Sequence, residues 1–411
     1  MTRCDLHEAA VLADAVAIRL ADPTTVGGLA MDGLSQSLAK GAPGIALLHI
    51  ERARAGLGDW ATVHAWLSAA TRTPVYAGPD AGLYVGAPAV AFAVHTAAAQ
   101  SDRYQRALTA LHTTVVALTH DRLDRAHQRL ARGETPAFTE FDLLYGLTGL
   151  GAYHLHVDPD GATIRQVLAY LVRLTEPIRH HGELLPGWWT HLPPTSQPSA
   201  DFAGGHGNFG MAHGIAGPLA LLALATRHGV IVNGQLDALE RIGAWFDTWR
   251  QDGDAGSWWP QWITEDERRS SRVHQPEPRR PSWCYGTPGI ARAQQLAAIA
   301  TGDTRRQQII EHALVGCLDD ARQRGRIVDS GLCHGWAGVL QTARHAEADA
   351  ASGTISACLP RLMDGFVEHA RPGTSEGAGL LDGDAGAALV LHTAARGDLS
   401  QSGWDACLLI V

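Results

Sequence analysis

Cysteine is scarce in this chain, and long runs of positive charge or of apolar residues are missing; each lack removes a class of protein. Six cysteines in 411 residues are too few for a disulfide scaffold, so reduced thiols are expected. Nucleic-acid partners leave a basic footprint, and a net charge of −9 with no long basic run argues against one. The most apolar stretch, residues 84–99, is broken by Pro88 and His95 and does not make a membrane span. The first residues, Met1-Thr2-Arg3-Cys4-Asp5-Leu6-His7-Glu8, carry charge where a signal peptide needs an apolar core. A cytoplasmic protein with no integral membrane segment and no nucleic-acid partner is the expectation.

What the chain has instead is a repeat. A Gly-x-x-Gly element occurs at Gly41, Gly86, Gly146, Gly214, Gly286, Gly335 and Gly383, with Ala89 standing where the second copy should close on glycine. Successive first glycines are 45, 60, 68, 72, 49 and 48 residues apart, in the range of one repeated supersecondary unit. Each element opens an apolar run of helical length, such as 214–228, hydrophobic nearly all round as a buried helix is. Before each lies a more charged segment with apolar residues three and four apart: residues 7–20, 57–72, 102–120, 162–180, 235–250, 303–322 and 354–370. The unit is outer helix, loop, glycine turn, inner helix.

A pair of this kind cannot bury its inner helix without neighbours on both sides. An open solenoid would need polar capping repeats, yet the last copy, 383–395, is as apolar as the middle ones. The predicted fold is all-α, an α/α toroid (a double-ring barrel) of seven helix-pair repeats with about 14 helices. Length alone suggests two or three domains, but the repeat runs through the whole chain and predicts a single domain over 1–411. Two stretches interrupt the pattern as loop insertions. Residues 181–212 hold Gly187-Trp188-Trp189, and residues 251–282 hold Trp258-Trp259-Pro260-Gln261-Trp262. They form either the walls of a substrate groove or surface loops whose tryptophans plug the core.

Glycine at the turn permits positive φ and close backbone approach where the inner helix begins. The residues just before the turns, Lys40, Val85, Tyr145, His213, Tyr285, His334 and Asp382, are thereby expected at one end of the barrel. Cys284 and Cys333 stand one step further out, in Trp283-Cys284-Tyr285-Gly286 and Leu332-Cys333-His334-Gly335. Two cysteines and a histidine are three quarters of a tetrahedral zinc shell, and three ligands with an open position describe a working metal site. A spacing of 49 residues excludes a zinc finger; the shared place in the repeat joins the two fragments. Asp382 and Asp384 are read as caps of the last inner helix, and Cys317, Cys358 and Cys407 as small buried groups on helical segments. Tyr285 either donates a hydrogen bond in the site or packs.

These glycine repeats, with Trp283-Cys284-Tyr285-Gly286, Cys333-His334-Gly335 and Asn208-Phe209-Gly210-Met211-Ala212-His213-Gly214, resemble the lanthionine synthetase C-like family over essentially all of 1–411. The resemblance implies an α/α toroid with one zinc ion held by Cys284, Cys333 and His334. Matched residue by residue, it implies His213, Asp142 (in Phe141-Asp142-Leu143-Leu144-Tyr145-Gly146) and Arg280 (in Arg280-Pro281-Ser282-Trp283-Cys284) as further active-site positions, with Tyr285 beside them. The implied reaction adds peptide cysteine thiolates to dehydroalanine or dehydrobutyrine and closes lanthionine or methyllanthionine rings. Its implied partners are a dehydrated precursor peptide and the dehydratase and exporter of a biosynthetic complex. With no room for a dehydratase or kinase domain, the chain resembles the stand-alone cyclase.

The chemistry agrees with that implication. Coordination to zinc deprotonates a thiol that is otherwise only a few per cent thiolate at neutral pH. Addition to the β-carbon creates an enolate that needs a proton at the α-carbon. His213 suits that transfer, Arg280 the enolate oxygen and Asp142 the orientation of His213. Three rivals are weighed: a relative that adds glutathione or another thiol to dehydrated residues, a toroidal glycosidase, and a non-catalytic peptide-binding toroid. The glycosidase would need paired carboxylates where this chain offers Cys, Cys and His. A mere binder has no use for His213 and Arg280 beside a metal triad.

Overall fold

The structure is a computed structural model and describes residues 3–26, 34–98, 103–195, 197, 199–373 and 375–411. Helices dominate it. All seven glycine elements lead into a helix: Ala42–Arg54, Ala87–Ala98, Leu147–Val157, Ala216–Arg227, Thr287–Thr301, Trp336–Ala348 and Asp384–Ala395. These inner helices are buried nearly all round, including polar positions such as Glu51, Gln294 and Gln341. Their partners are the more charged helices Arg3–Arg19, Trp60–Ala70, Gln105–Ala131, Ala162–Leu174, Gln235–Trp249, Thr304–Asp319 and Leu359–His369. Short extra helices raise the number of α-helices among the described residues to 17.

The chain divides into two compact units. The first comprises residues 1–118 and 325–409 with Val411; the second comprises residues 119–324 with Ile410. In the first unit the inner helices pack in the order Trp336–Ala348, Asp384–Ala395, Ala42–Arg54, Ala87–Ala98. The first outer helix, Arg3–Arg19, packs on the last inner helix, Asp384–Ala395, and Arg19 pairs with the buried Asp384. First and last repeats are thus neighbours, as a ring requires and an open solenoid forbids. In the second unit Leu147–Val157, Ala216–Arg227 and Thr287–Thr301 form the inner row, each packed on the charged helix that follows it in sequence, Ala162–Leu174, Gln235–Trp249 and Thr304–Asp319.

The glycines act mainly by close approach. A Cβ on Gly44, Gly289, Gly338 or Gly386 would be driven into the carbonyl oxygen six residues upstream, on Leu38, Trp283, Leu332 or Leu380. The first glycines at 41, 146, 286, 335 and 383 are extended. Gly86 alone among the seven has a left-handed φ, of 75°, and it opens the helix in which the fully buried Ala89 takes the closing-glycine place. Positive φ is therefore the reason for glycine at that one turn.

Asp382 and Asp384 do not cap the last inner helix. Gly383 holds the cap position and no side chain bonds there, while Asp384 accepts the Gly373 N–H at 2.9 Å and pairs with Arg19. Cys358 precedes its helix, Cys317 lies within one, and Cys407 lies in the short Trp404–Leu408 turn; all three are buried. That terminal turn is anchored in the first unit. Glu51 accepts the N–H groups of Gln401 and Ser402 at 2.8 and 2.9 Å, His345 meets Asp405 at 2.7 Å, and the Tyr84 hydroxyl donates to the Cys407 carbonyl at 2.8 Å.

Among the described residues six three-residue strands occur, all in the second unit. His206–Asn208 pairs antiparallel with Trp262–Thr264, which joins the stretches 181–212 and 251–282. Trp188, Trp189, Trp258 and Trp259 are buried, whereas Trp262 meets the Tyr285 ring edge-on at 6.4 Å. No helix among the described residues is long and apolar enough to cross a membrane.

Candidate active site

In the second unit the loop from Phe138 to Gly146 carries Asp142. A single helical turn, Phe138–Phe141, ends on Asp142, whose backbone is extended and whose side chain is fully buried. One carboxylate oxygen, Oδ1, accepts the N–H groups of Tyr145 and Gly146 at 2.7 and 2.8 Å, which fixes the turn into the Leu147–Val157 helix. The other, Oδ2, accepts from Nδ1 of His213 at 2.7 Å. A hydrogen bond from Leu143 N–H to the Ala212 carbonyl, at 3.1 Å, holds the two loops in register. Burial pushes the Asp142 carboxyl above its usual range, against the opposing pull of His213 and of the two backbone N–H groups.

His213 is about one fifth exposed and lies among aromatic rings. Tyr145 stacks on it at 5.9 Å, Tyr285 is tilted against it at 6.2 Å, and Phe138 meets it edge-on at 5.4 Å. With Nδ1–H donated to a buried carboxylate, the lone pair sits on Nε2, and the ring is set up to accept a proton there.

The loop that carries Cys284 is strapped to the loop that carries His213. The Cys284 carbonyl accepts from Met211 N–H at 2.8 Å and from Ala212 N–H at 3.3 Å. Ser282 braces the same turn, accepting the Tyr285 N–H at 3.3 Å with its hydroxyl 3.8 Å from the Cys284 sulfur. Tyr285 takes a hydrogen bond on its phenol oxygen from the Asn208 side-chain amide at 3.0 Å. Arg280 is half-buried in the same loop, two residues before Ser282.

The first unit carries Cys333 and His334. The Cys333 N–H donates to the Leu381 carbonyl at 2.9 Å, and Asp329 accepts the Gly331 N–H at 2.9 Å. The His334 ring lies between two carboxylates, Nε2 at 3.9 Å from Asp329 and Nδ1 at 3.8 Å from Asp382, and is about a third exposed. Asp382 is thus a neighbour of a donor residue. Among the described residues, Cys284, Cys333 and His334 make up a donor group that can hold a metal ion. Two soft thiolates and an imidazole are the donor set that suits zinc.

Sequence reasoning placed Tyr145 with His213 at the site end of the repeat, as its stacking on that ring agrees, but gave no role to Asn208, Ser282, Phe138 or Asp329. A signal was there for some of them: a side-chain oxygen four residues before the first glycine (Ser37, Asp142, Ser282) or six before it (Asn208, Asp329) bonds the turn's own backbone.

The family model described as "Lanthionine synthetase C-like protein" matches residues 32–409. The chain belongs to the lanthionine synthetase C-like family. The nisin biosynthesis protein NisC of Lactococcus lactis subsp. lactis is 24% identical over 328 residues, spanning 75% of this chain and 72% of that protein. The solved structure of nisin cyclase superposes with a TM-score of 0.76 at 20% identity, covering 92% of this chain and 93% of the other. That likeness shows the fold, and the all-α, α/α toroid expected from the glycine repeat is the fold class of this chain.

Proposed function

We propose that this protein is a zinc-dependent lanthipeptide cyclase: it adds cysteine thiolates of a dehydrated precursor peptide to dehydroalanine or dehydrobutyrine and forms thioether rings. The observation that carries the reading is the 2.7 Å bond between buried Asp142 and His213, on a loop tied to the backbone of Cys284. Membership in the family supports the reaction class. Residues 1–411 serve as one catalytic domain, working in the cytoplasm on a peptide.

Cys284, Cys333 and His334 hold the zinc, which when bound supplies an acidified thiol at neutral pH. The residues of the chain do the rest. The substrate sulfur gives up its proton and forms a bond to the β-carbon of the dehydrated residue, and the π electrons move onto the carbonyl oxygen as an enolate. A proton then arrives at the α-carbon and the carbonyl is restored, so one S–H is lost, one C–H is gained and nothing leaves. His213 moves protons through Nε2, with Asp142 holding Nδ1–H and stabilising the imidazolium. Arg280 and the Tyr285 hydroxyl serve the enolate oxygen. Phe138 and Tyr145 keep the His213 ring in place and water off its faces.

The test is His213→Ala with a dehydrated peptide, read by mass spectrometry after thiol alkylation. Loss of general acid–base catalysis slows ring closure by about 10²–10⁴ while zinc stays bound. Rings formed at the wild-type rate would remove His213 from the chemistry, and loss of zinc would make it a ligand.

A further inference from the structure

We infer that Asn208 is a positioning residue that fixes Tyr285 as a hydrogen-bond donor to the reacting oxygen; this rests on the cyclase reading above. Asn208 ends the short strand paired with Trp262–Thr264 and is 1% exposed. Its Oδ1 accepts the Gly210 N–H at 2.9 Å and its Nδ2 donates to the Tyr285 oxygen at 3.0 Å. The backbone N–H of Gly210 can only donate, so the amide oxygen must face Gly210 and the NH₂ must face Tyr285. An NH₂ group has no lone pair to offer, and the phenol proton therefore points away from Asn208. A tyrosine held in this way accepts on one side and donates on the other, where negative charge develops on an enolate oxygen.

Glycines make room for the arrangement. A Cβ on Gly210 would stand 2.8 Å from the Tyr285 ring and from the Cys284 carbonyl oxygen, and one on Gly214 would strike the Asn208 side chain. The Trp262 edge at 6.4 Å and the tilted His213 ring at 6.2 Å complete the walls around the phenol. Asn208 also accepts the Ile215 N–H on its backbone carbonyl at 2.9 Å, so the residue that orients Tyr285 belongs to the turn that presents His213.

Asn208→Asp separates the two bonds. Aspartate still accepts the Gly210 N–H, so the turn persists, but its second oxygen can only accept and draws the phenol proton to itself. The assay is zinc-loaded full-length protein turning over a synthetic peptide with one dehydroalanine and one cysteine, with the uncatalysed rate subtracted. N208D lowers kcat by about tenfold or more, with KM within about threefold, in line with the loss of one oxyanion donor. In a Tyr285→Phe background, which has no proton to redirect, N208D adds less than about threefold. Asn208→Ser keeps an acceptor for Gly210 but is too short to reach Tyr285, and gives the same pattern should N208D fail to fold. Wild-type kcat in folded N208D, or a loss of equal size with and without the Tyr285 hydroxyl, overturns the inference and leaves the cyclase reading intact. Wild-type kcat in Y285F alone removes the tyrosine from the reaction and this inference with it, while the roles of zinc and His213 stand.

Discussion

Replacing Asp142 by asparagine is expected to slow the reaction severely without harming the fold. Asp142 accepts three hydrogen bonds, two from the N–H groups of Tyr145 and Gly146 on Oδ1 and one from His213 on Oδ2. An amide has one accepting oxygen. If that oxygen turns to His213, two buried N–H groups lose their acceptor, at a cost of about 1–3 kcal/mol each. The oxygen therefore stays with the backbone and the NH₂ faces Nδ1 of His213. His213 must then carry its proton on Nε2, where the lone pair is needed. A buried aspartate behind a catalytic histidine behaves this way when changed to asparagine, with a loss in kcat of about 10⁴; about 10²–10⁴, or roughly 3–5 kcal/mol of barrier, is expected here. Stability moves the other way. Burial raises the carboxyl of Asp142, so the folded state holds that proton more tightly than the unfolded chain, and the stability it lends is lost as pH rises through the folded value. Asparagine cannot ionise and escapes the loss, so D142N at neutral pH melts at or above the wild-type temperature. Initial rates of thioether formation on a peptide with one dehydroalanine and one cysteine, with zinc content and melting temperature measured on the same samples, give the answer. A folded, zinc-loaded D142N within about threefold of the wild-type rate would refute the reasoning.

Elemental analysis should find about one zinc per chain in the wild type and little in a Cys284→Ala, Cys333→Ala double variant; undiminished zinc there would reject these ligands, and circular dichroism should show both proteins equally helical, because the repeat core does not use the metal. Gly338→Ala and Gly386→Ala each force a methyl into a backbone carbonyl and should lower stability in urea by about 1–3 kcal/mol or more, whereas Gly229→Ala, with open space around its Cβ but a φ of 76°, should cost less; equal midpoints for all three would contradict the close-approach account. Burial lowers His49, His206 and His392 to about 4, so all three are neutral in the fold while the unfolded chain binds protons from about pH 6.5 downward. Stability is therefore full above pH 6.5 and falls between pH 6.5 and 4, by roughly 2 kcal/mol per histidine at pH 4.5; urea midpoints that do not change over this range would disprove it, and His206→Phe should flatten the dependence.

Much of this protein was written locally. Seven glycine elements marked all seven inner helices: a side chain at Gly44, Gly289, Gly338 or Gly386 would strike backbone six residues upstream, and the turn at Gly86 needs a left-handed φ. The candidate metal donors stood out for a similar reason: Cys284, Cys333 and His334 stand at fixed steps before a first glycine. The buried thiols were legible as well, but the roles of Asp382 and Asp384 were not, since Asp384 answers to Arg19 across the whole length of the chain and not to its own helix. The resemblance implied that Asp142 orients His213, 71 residues away, and the tertiary structure supplies the bond between them; that Asn208 meets Tyr285, 77 residues away, was visible in the tertiary structure alone. Those pairings depend on how inner helices stack side by side and on the strand pair that joins 206–208 to 262–264. Periodicity records which face of a helix is buried; it carries no record of which neighbour's loop that helix start will meet, and at this site the meeting of loops sets which nitrogen of His213 holds the proton.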